Sequence, residues 1–229
     1  MTVPPPLADL ASPELAASPR RVLVLPLGSC EQHGPHLPLG TDTIIATELA
    51  NRLAERRPDV VVAPALAISA SGEHAGFPGT LSIGTEATVA VLVELARSAE
   101  WPVGIVLVNG HGGNAEAVDA AVSIIRAEGC NVCSWWPRIP GGDAHAGRTE
   151  TSLMLAIRPD LVDSARARPG ELRPLAEIAG ELRRSGMRSV SPTGVLGNPV
   201  GATLEEGRDL LDILTDDLVT AVDDARNTW

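Results

Sequence analysis

Lysine is missing from all 229 residues, so the 18 basic side chains are arginines. That absence excludes Schiff-base catalysis, lysine-bound pyridoxal phosphate, serine–lysine dyads and phosphate-binding loops that need a lysine. Tyrosine is also missing, and Phe77 and four tryptophans are the only aromatics apart from histidine, so the core must be built from Ala, Val, Leu and Ile. Three cysteines, Cys30, Cys130 and Cys133, are too few for a disulfide scaffold. Their odd number fits a reducing compartment, and a cytoplasmic location is expected. No apolar run approaches the roughly 18 residues of a membrane span. The start, Met1 to Arg21, carries prolines and acids where a signal peptide needs a basic end and an apolar stretch. With 29 acidic residues the net charge is -11 and the pI near 4.9, which disfavours nucleic acid and anionic membranes as partners. A small or neutral substrate fits better.

What is present reads as one domain over residues 21–229, preceded by an irregular N-terminal arm, residues 1–20, with Pro4, Pro5, Pro6, Pro13 and Pro19. Short apolar runs at Val22 to Leu27, Val60 to Ile68, Val103 to Asn109 and Cys130 to Trp136 predict buried parallel strands. Between them, Thr43 to Arg57, Thr85 to Ala99 and Asn114 to Glu128 carry apolar residues at helical spacing and have crossover length. The alternation predicts an α/β fold with a mainly parallel sheet. Beyond Trp136 the pattern weakens, then Glu150 to Ile157 predicts a short helix stopped at Pro159. Arg166, Arg168, Arg173, Arg183, Arg184 and Arg188 form a locally basic stretch, either a solvated surface or a lid or subunit contact. Thr203 to Arg226 predicts a long amphipathic helix with eight carboxylates.

In an open α/β sheet, ligands sit beyond the carboxyl ends of the strands, and the polar residues cluster in those loops. Glu31, His33 and Asp42 follow the first run, His111 the third, and His145 and Glu150 the fourth. Three carboxylates and two imidazoles from Glu31, His33, Asp42, His111 and Glu150 on one rim predict a metal site of a kind that suits Zn(II), Fe(II) or Mn(II). Each residue also has a plainer reading, with Asp42 as a helix N-cap and each histidine a satisfied polar group. All five histidines, His36 and His74 included, fall at this one edge, which favours the metal reading. Cys30 as a nucleophile, Cys130 with Cys133 as a redox pair and Gly110-His111-Gly112-Gly113 as a phosphate loop are weaker alternatives, because neighbouring side chains on an extended loop diverge, the cysteines lie in a predicted strand and the spaced glycines of a dinucleotide fingerprint are absent.

Four motifs in order, Gly28-Ser29-Cys30-Glu31-Gln32-His33-Gly34-Pro35-His36-Leu37-Pro38 with Thr41-Asp42, Phe77-Pro78-Gly79-Thr80, Asn109-Gly110-His111-Gly112-Gly113-Asn114, and His145-Ala146-Gly147 with Glu150-Thr151-Ser152, resemble the creatininase (creatinine amidohydrolase) family. The resemblance runs from about Val22 to Val162. It implies a three-layer α/β/α sandwich, two divalent metal ions (Fe2+ and/or Zn2+, or Mn2+), hydrolysis of a C–N amide bond and a homo-oligomer, often a hexamer. By motif, Glu31, Asp42 and His111 would hold one ion, and His33, Asp42 and a further carboxylate the other, with Asp42 bridging. Creatinine-hydrolysing members carry a Glu where this chain has Gly113, so Glu150 is the candidate replacement. His145 matches the family's general acid/base histidine.

The run Gly142 to Ser152 and the Asn-Gly-His-Gly-Gly-Asn loop most resemble the mycofactocin precursor peptide peptidase branch, whose members release a modified C-terminal Val-Tyr-derived unit from a ribosomally made peptide. A small modified peptide is therefore the expected substrate, with Glu73 and His74 as candidate substrate-binding residues. Hydrolysis would use a metal-bound hydroxide, with His145 moving the proton to the departing nitrogen. The rival within enzymes is a small cyclic amidohydrolase acting on creatinine or a formamidopyrimidine-like ring. The rival outside them is a non-catalytic binding module.

Overall fold

A computed structural model describes residues 5–17 and 21–229. In chain order the elements are a 3-10 turn at Leu7–Asp9, α1 (Ser12–Ala16), β1 (Val22–Leu27), α2 (Thr41–Arg56), β2 (Val60–Val62), α3 (Gly84–Ser98), β3 (Gly104–Asn109), α4 (Ala115–Ala127), β4 (Val132–Trp135), α5 (Arg148–Ile157), α6 (Leu175–Ser185), α7 (Met187–Val190) and α8 (Leu204–Arg226). The four strands are all parallel, in the order β2-β1-β3-β4. Every residue of β1, β2 and β3 is buried, as parallel strands covered on both faces must be.

One face of the sheet packs on α2, α5 and α8 through Ile45, Leu49, Leu53, Leu153, Leu211, Leu214, Leu218 and Val222. The other packs on α3 and α4 through Leu92, Val93, Ala96, Val118, Ala121 and Ile125. The result is a three-layer α/β/α sandwich whose middle layer is a parallel sheet. Thr203 caps α8, its hydroxyl accepting from the Glu206 amide at 3.1 Å. The acids of α8 meet arginines of the α2 face: Arg52 pairs with Asp212 at 3.0 Å, and Arg56 and Arg57 with Asp216 and Asp223. Such exposed pairs add little stability, but they give the acidic tail partners within its own chain.

Several boundaries differ from the sequence expectations. The second run pairs only over Val60–Val62, because Pro64 lacks the N–H that the ladder needs; Leu66 still donates to the Pro26 carbonyl at 3.0 Å. Cys130 lies outside β4 on an exposed turn, so Cys130 and Cys133 do not share a strand. The arm is not irregular throughout, since its described part forms a turn and α1, and Leu7 and Leu10 pack on the α3/α4 face of the core. Residues 1–4 and 18–20 of that arm lie outside the described residues. The basic stretch contains α6 and α7, which form a small core of Ile178, Met187, Val190 and Leu196 with Phe77 against it. Among the described residues no helix is long and apolar enough to cross a membrane.

Helices α5 and α8 approach so closely that a Cβ on Gly207 would lie 1.8 Å from the Ser152 carbonyl oxygen. Gly207→Ala is expected to destabilise the fold by about 1–3 kcal/mol through overpacking, despite a helix-propensity gain of about 1 kcal/mol. Chemical denaturation reads this directly, and an unchanged midpoint would disprove the close approach.

Candidate metal centre

The strand ends deliver the chemistry. The loop after β1 carries Glu31 and His33, the first turn of α2 carries Asp42, the loop after β3 carries His111, and the segment after β4 carries His145 and leads into Glu150 of α5. Glu31 and His33 are completely buried and Asp42, His74 and His111 nearly so. Asp42 is inside the helix and makes no cap bond, so the N-cap reading of it does not hold.

Asp42 divides its carboxylate between two imidazoles: Oδ1 lies 2.9 Å from His33 Nε2, and Oδ2 lies 3.1 Å from His111 Nδ1. Ser29 donates to Oδ2 at 2.7 Å. Glu31 reaches His111 Nε2 at 3.2 Å and His74 Nε2 at 3.3 Å, yet neither of its oxygens accepts a hydrogen bond. An ionised carboxylate buried without donors is costly to hold, and cations are the natural compensation. Two sets of ligand atoms, Glu31–Asp42–His111 and His33–Asp42–Glu150, each fall within 4.8 Å, as do Glu31–His33–His145 and Glu31–Glu73–His74. The donor chemistry, imidazole with carboxylate, fits Zn, Mn or Fe.

Backbone carbonyls orient the imidazoles. His33 Nδ1 donates to the Glu31 carbonyl at 3.2 Å, which turns Nε2 toward Asp42. His145 Nε2 donates to the Gln32 carbonyl at 2.9 Å, leaving Nδ1 to face Glu31 Oε1 at 3.8 Å. Burial opposes charge on His33, but the hydrogen bond and negative charge of Asp42, with Glu150 and Glu31 behind it, hold its pKa up to about 9. Burial pushes Glu150 up to about 7. His145 is driven well below the ordinary histidine value by burial and by the positive charge of His33 beside it, so it is neutral at pH 7.

Sequence reasoning missed Gln32. Its Oε1 accepts from the Gly34 amide at 3.0 Å, and its Nε2 donates to the Gly194 carbonyl at 3.2 Å and to His74 Nδ1 at 2.9 Å. The side chain thus ties the β1 loop to the 194–197 segment, whose Leu196 exchanges backbone hydrogen bonds with His145. Ala146, next to His145, has φ 51°, a strained value for a residue with a Cβ, and its amide donates to Glu150 Oε2 at 2.6 Å. His36 leaves the cluster and contacts Thr151 Oγ1 at 2.9 Å, bracing the loop against α5. Cys30 points to the Gly79 carbonyl at 3.7 Å and takes no part. Glu73 and His74, the candidate substrate-binding residues, sit against the cluster, Glu73 Oε1 3.4 Å from His111 Nε2.

The chain matches the family model described as Creatininase: Creatinine amidohydrolase over residues 8–222. It belongs to the creatininase family. Two similar curated relatives carry the name mycofactocin precursor peptide peptidase: that of Mycobacterium tuberculosis, 49% identical over 87% of this chain and 84% of its own, and that of Mycolicibacterium smegmatis, 51% identical over 81% and 78%. The creatinine amidohydrolase of Pseudomonas putida is 31% identical over 88% of both chains. A solved structure titled Creatininase Mn superposes with TM-score 0.76 at 28% identity, covering 94% of this chain and 96% of its own. A mutant creatininase described as Zn-Zn type gives TM-score 0.77 at 27% identity over the same shares. The chain is therefore a metal-dependent amidohydrolase of the creatininase family, with the fold that the motifs implied.

Because Gln32 donates to His74 Nδ1, His74 carries its proton on Nε2, and burial pushes its pKa down to about 4. In chelator-treated protein, imidazole nitrogen NMR is expected to show His74 neutral at pH 5, where an unperturbed histidine near 6.5 is mostly protonated. A protonated His74 at that pH would contradict the assignment.

Proposed function

We propose that residues 21–229 form a single dinuclear metallohydrolase domain that cuts an amide bond near the C-terminus of a small modified peptide, releasing the Val-Tyr-derived unit of a mycofactocin precursor. The observation that carries the two-ion reading is the division of Asp42 between His33 and His111 from opposite sides. Glu31, Asp42 and His111 would hold one ion, and His33, Asp42 and Glu150 the other. Zn2+, Fe2+ and Mn2+ all suit these donors. The substrate reading is supported by the names of the relatives at 49% and 51% identity. Gly113 supports it over creatinine itself, which remains the second reading because of the 31% identical relative.

When bound, the ions would make a shared water acidic enough to ionise near neutral pH and would polarise the amide carbonyl. The chain supplies the proton handling. His145 Nδ1 keeps a free lone pair, because Nε2 is committed to the Gln32 carbonyl, and the ring is neutral at pH 7. It can take a proton from the attacking water at Nδ1 and return it to the departing amide nitrogen, which is a poor leaving group unless protonated. The Leu196 backbone bonds and the strained Ala146 hold the ring still. We extend the reading to a cytoplasmic enzyme, supported by three unpaired cysteines, and to a homo-oligomer such as a hexamer, supported by exposed Leu172, Leu175 and Val200.

The test is mass spectrometry of a decarboxylated, cross-linked precursor peptide ending in Val-Tyr, incubated with the purified protein. Chelator-sensitive release of the C-terminal unit is expected; a metal-replete protein that leaves the peptide intact but opens a cyclic amide would transfer the assignment to the second reading. His145→Ala should keep its metal and lose turnover by about 100- to 10,000-fold. Asp42→Asn should lose both ions and all activity, whereas full metal occupancy in that variant would remove Asp42 as the shared ligand.

A further inference from the structure

Gly113 follows His111 by two residues, and its missing side chain leaves a space that is already filled. A Cβ built there would lie 1.9 Å from Glu73 Oε1, 2.4 Å from His111 Nε2 and 2.7 Å from the Ala70 carbonyl oxygen. The occupant arrives from another loop: Glu73 sits on the 3-10 turn Gly72–His74, held by α6 and α7 and by Arg188, which donates to the Gly76 carbonyl at 2.9 Å. Its Oε1 stands 3.4 Å from His111 Nε2, and it shares a 4.8 Å group of ligand atoms with Glu31 and His74. Both oxygens of Glu31, fully buried in that group, lack hydrogen-bond partners.

We propose that Glu73 is a metal-ligating carboxylate on the Glu31–His111 side of the centre, and that position 113 is glycine to admit it. The inference deepens the two-ion reading above and rests on it. Glu73 is assigned a role as a ligand, and substrate reading falls to other residues. Any side chain at position 113 would compete with it for the same space, so the glycine and Glu73 depend on each other.

The test is competition titration of the chelator-stripped full chain with Zn2+ against a chromophoric chelator, alongside the visible spectrum of the Co2+-loaded protein. Neither measurement needs a substrate, so failure of the peptide assignment leaves it intact. Wild type is expected to bind two ions. Glu73→Gln, an isosteric change on a partly exposed side chain, should weaken one of them by more than about 100-fold, beyond the roughly 10- to 100-fold that loss of an outer partner costs, and should alter the Co2+ spectrum. Gly113→Ala should weaken the same ion by pushing Glu73 aside. Two ions bound by Glu73→Gln within tenfold of wild type, or a smaller loss with an unchanged Co2+ spectrum, would overturn the proposal. If wild type takes up a single ion, the two-ion reading fails, and Glu73 stands or falls on whether Glu73→Gln releases that ion.

Discussion

Burial of the Glu31 carboxylate without a single hydrogen-bond donor is the constraint around which the molecule is organised. A solvent-facing loop would hydrate that charge at no cost, but here parallel strands and helices on both faces leave no route for water to surround it. In an interior of low dielectric an isolated carboxylate is unstable by many kcal/mol, so it must find positive charge. The chain supplies imidazoles only at the perimeter, His111 and His74 at 3.2 and 3.3 Å, and uses no arginine there. Cations complete the balance, and the absence of lysine and arginine from the cluster is what leaves room for them.

Precision in such a centre comes from what stands behind the ligands. Asn114 donates to the Gly28 carbonyl at 3.2 Å and accepts from the Ala70 amide at 3.2 Å, which joins the ends of β1 and β3 to the loop after β2. Asp143 accepts from the amides of Arg148 and Thr149 at 2.8 and 3.0 Å, and from Asn198 at 3.1 Å, so one carboxylate fixes the start of α5 and the segment that clamps His145. Those bonds also keep its pKa low although burial pulls the other way. A cleft of about 620 Å3 opens against Asp143, Thr149, Leu196 and Gly197, on the outer side of this loop and away from the carboxylate–imidazole cluster. None of the carboxylates and imidazoles of that cluster lines it.

The strands and the gathering of Glu31, His33 and Asp42 were legible because both leave strong local signals. Val22 to Leu27 is unbroken and apolar, and Glu31, His33 and Asp42 lie within a dozen residues in one motif. Signals failed where tertiary context decides. Pro64 truncates β2 without breaking its apolar run, and α6 buries only Ile178, so its sequence reads as solvated surface. Gln32 carries no chemical signature of its own; its importance comes from His74 and Gly194, partners far from it in the chain. Glu73 was visible as a candidate, but its distance to Gly113 exists only in three dimensions.

The distribution of exposure limits how a substrate can arrive. Glu31 and His33 are closed off entirely, while the side chains of Glu73 and Glu150 are 30% and 20% exposed and lie on the side open to solvent. Among the residues of the cluster it is therefore Glu73 and Glu150 that solvent, and anything dissolved in it, meets first.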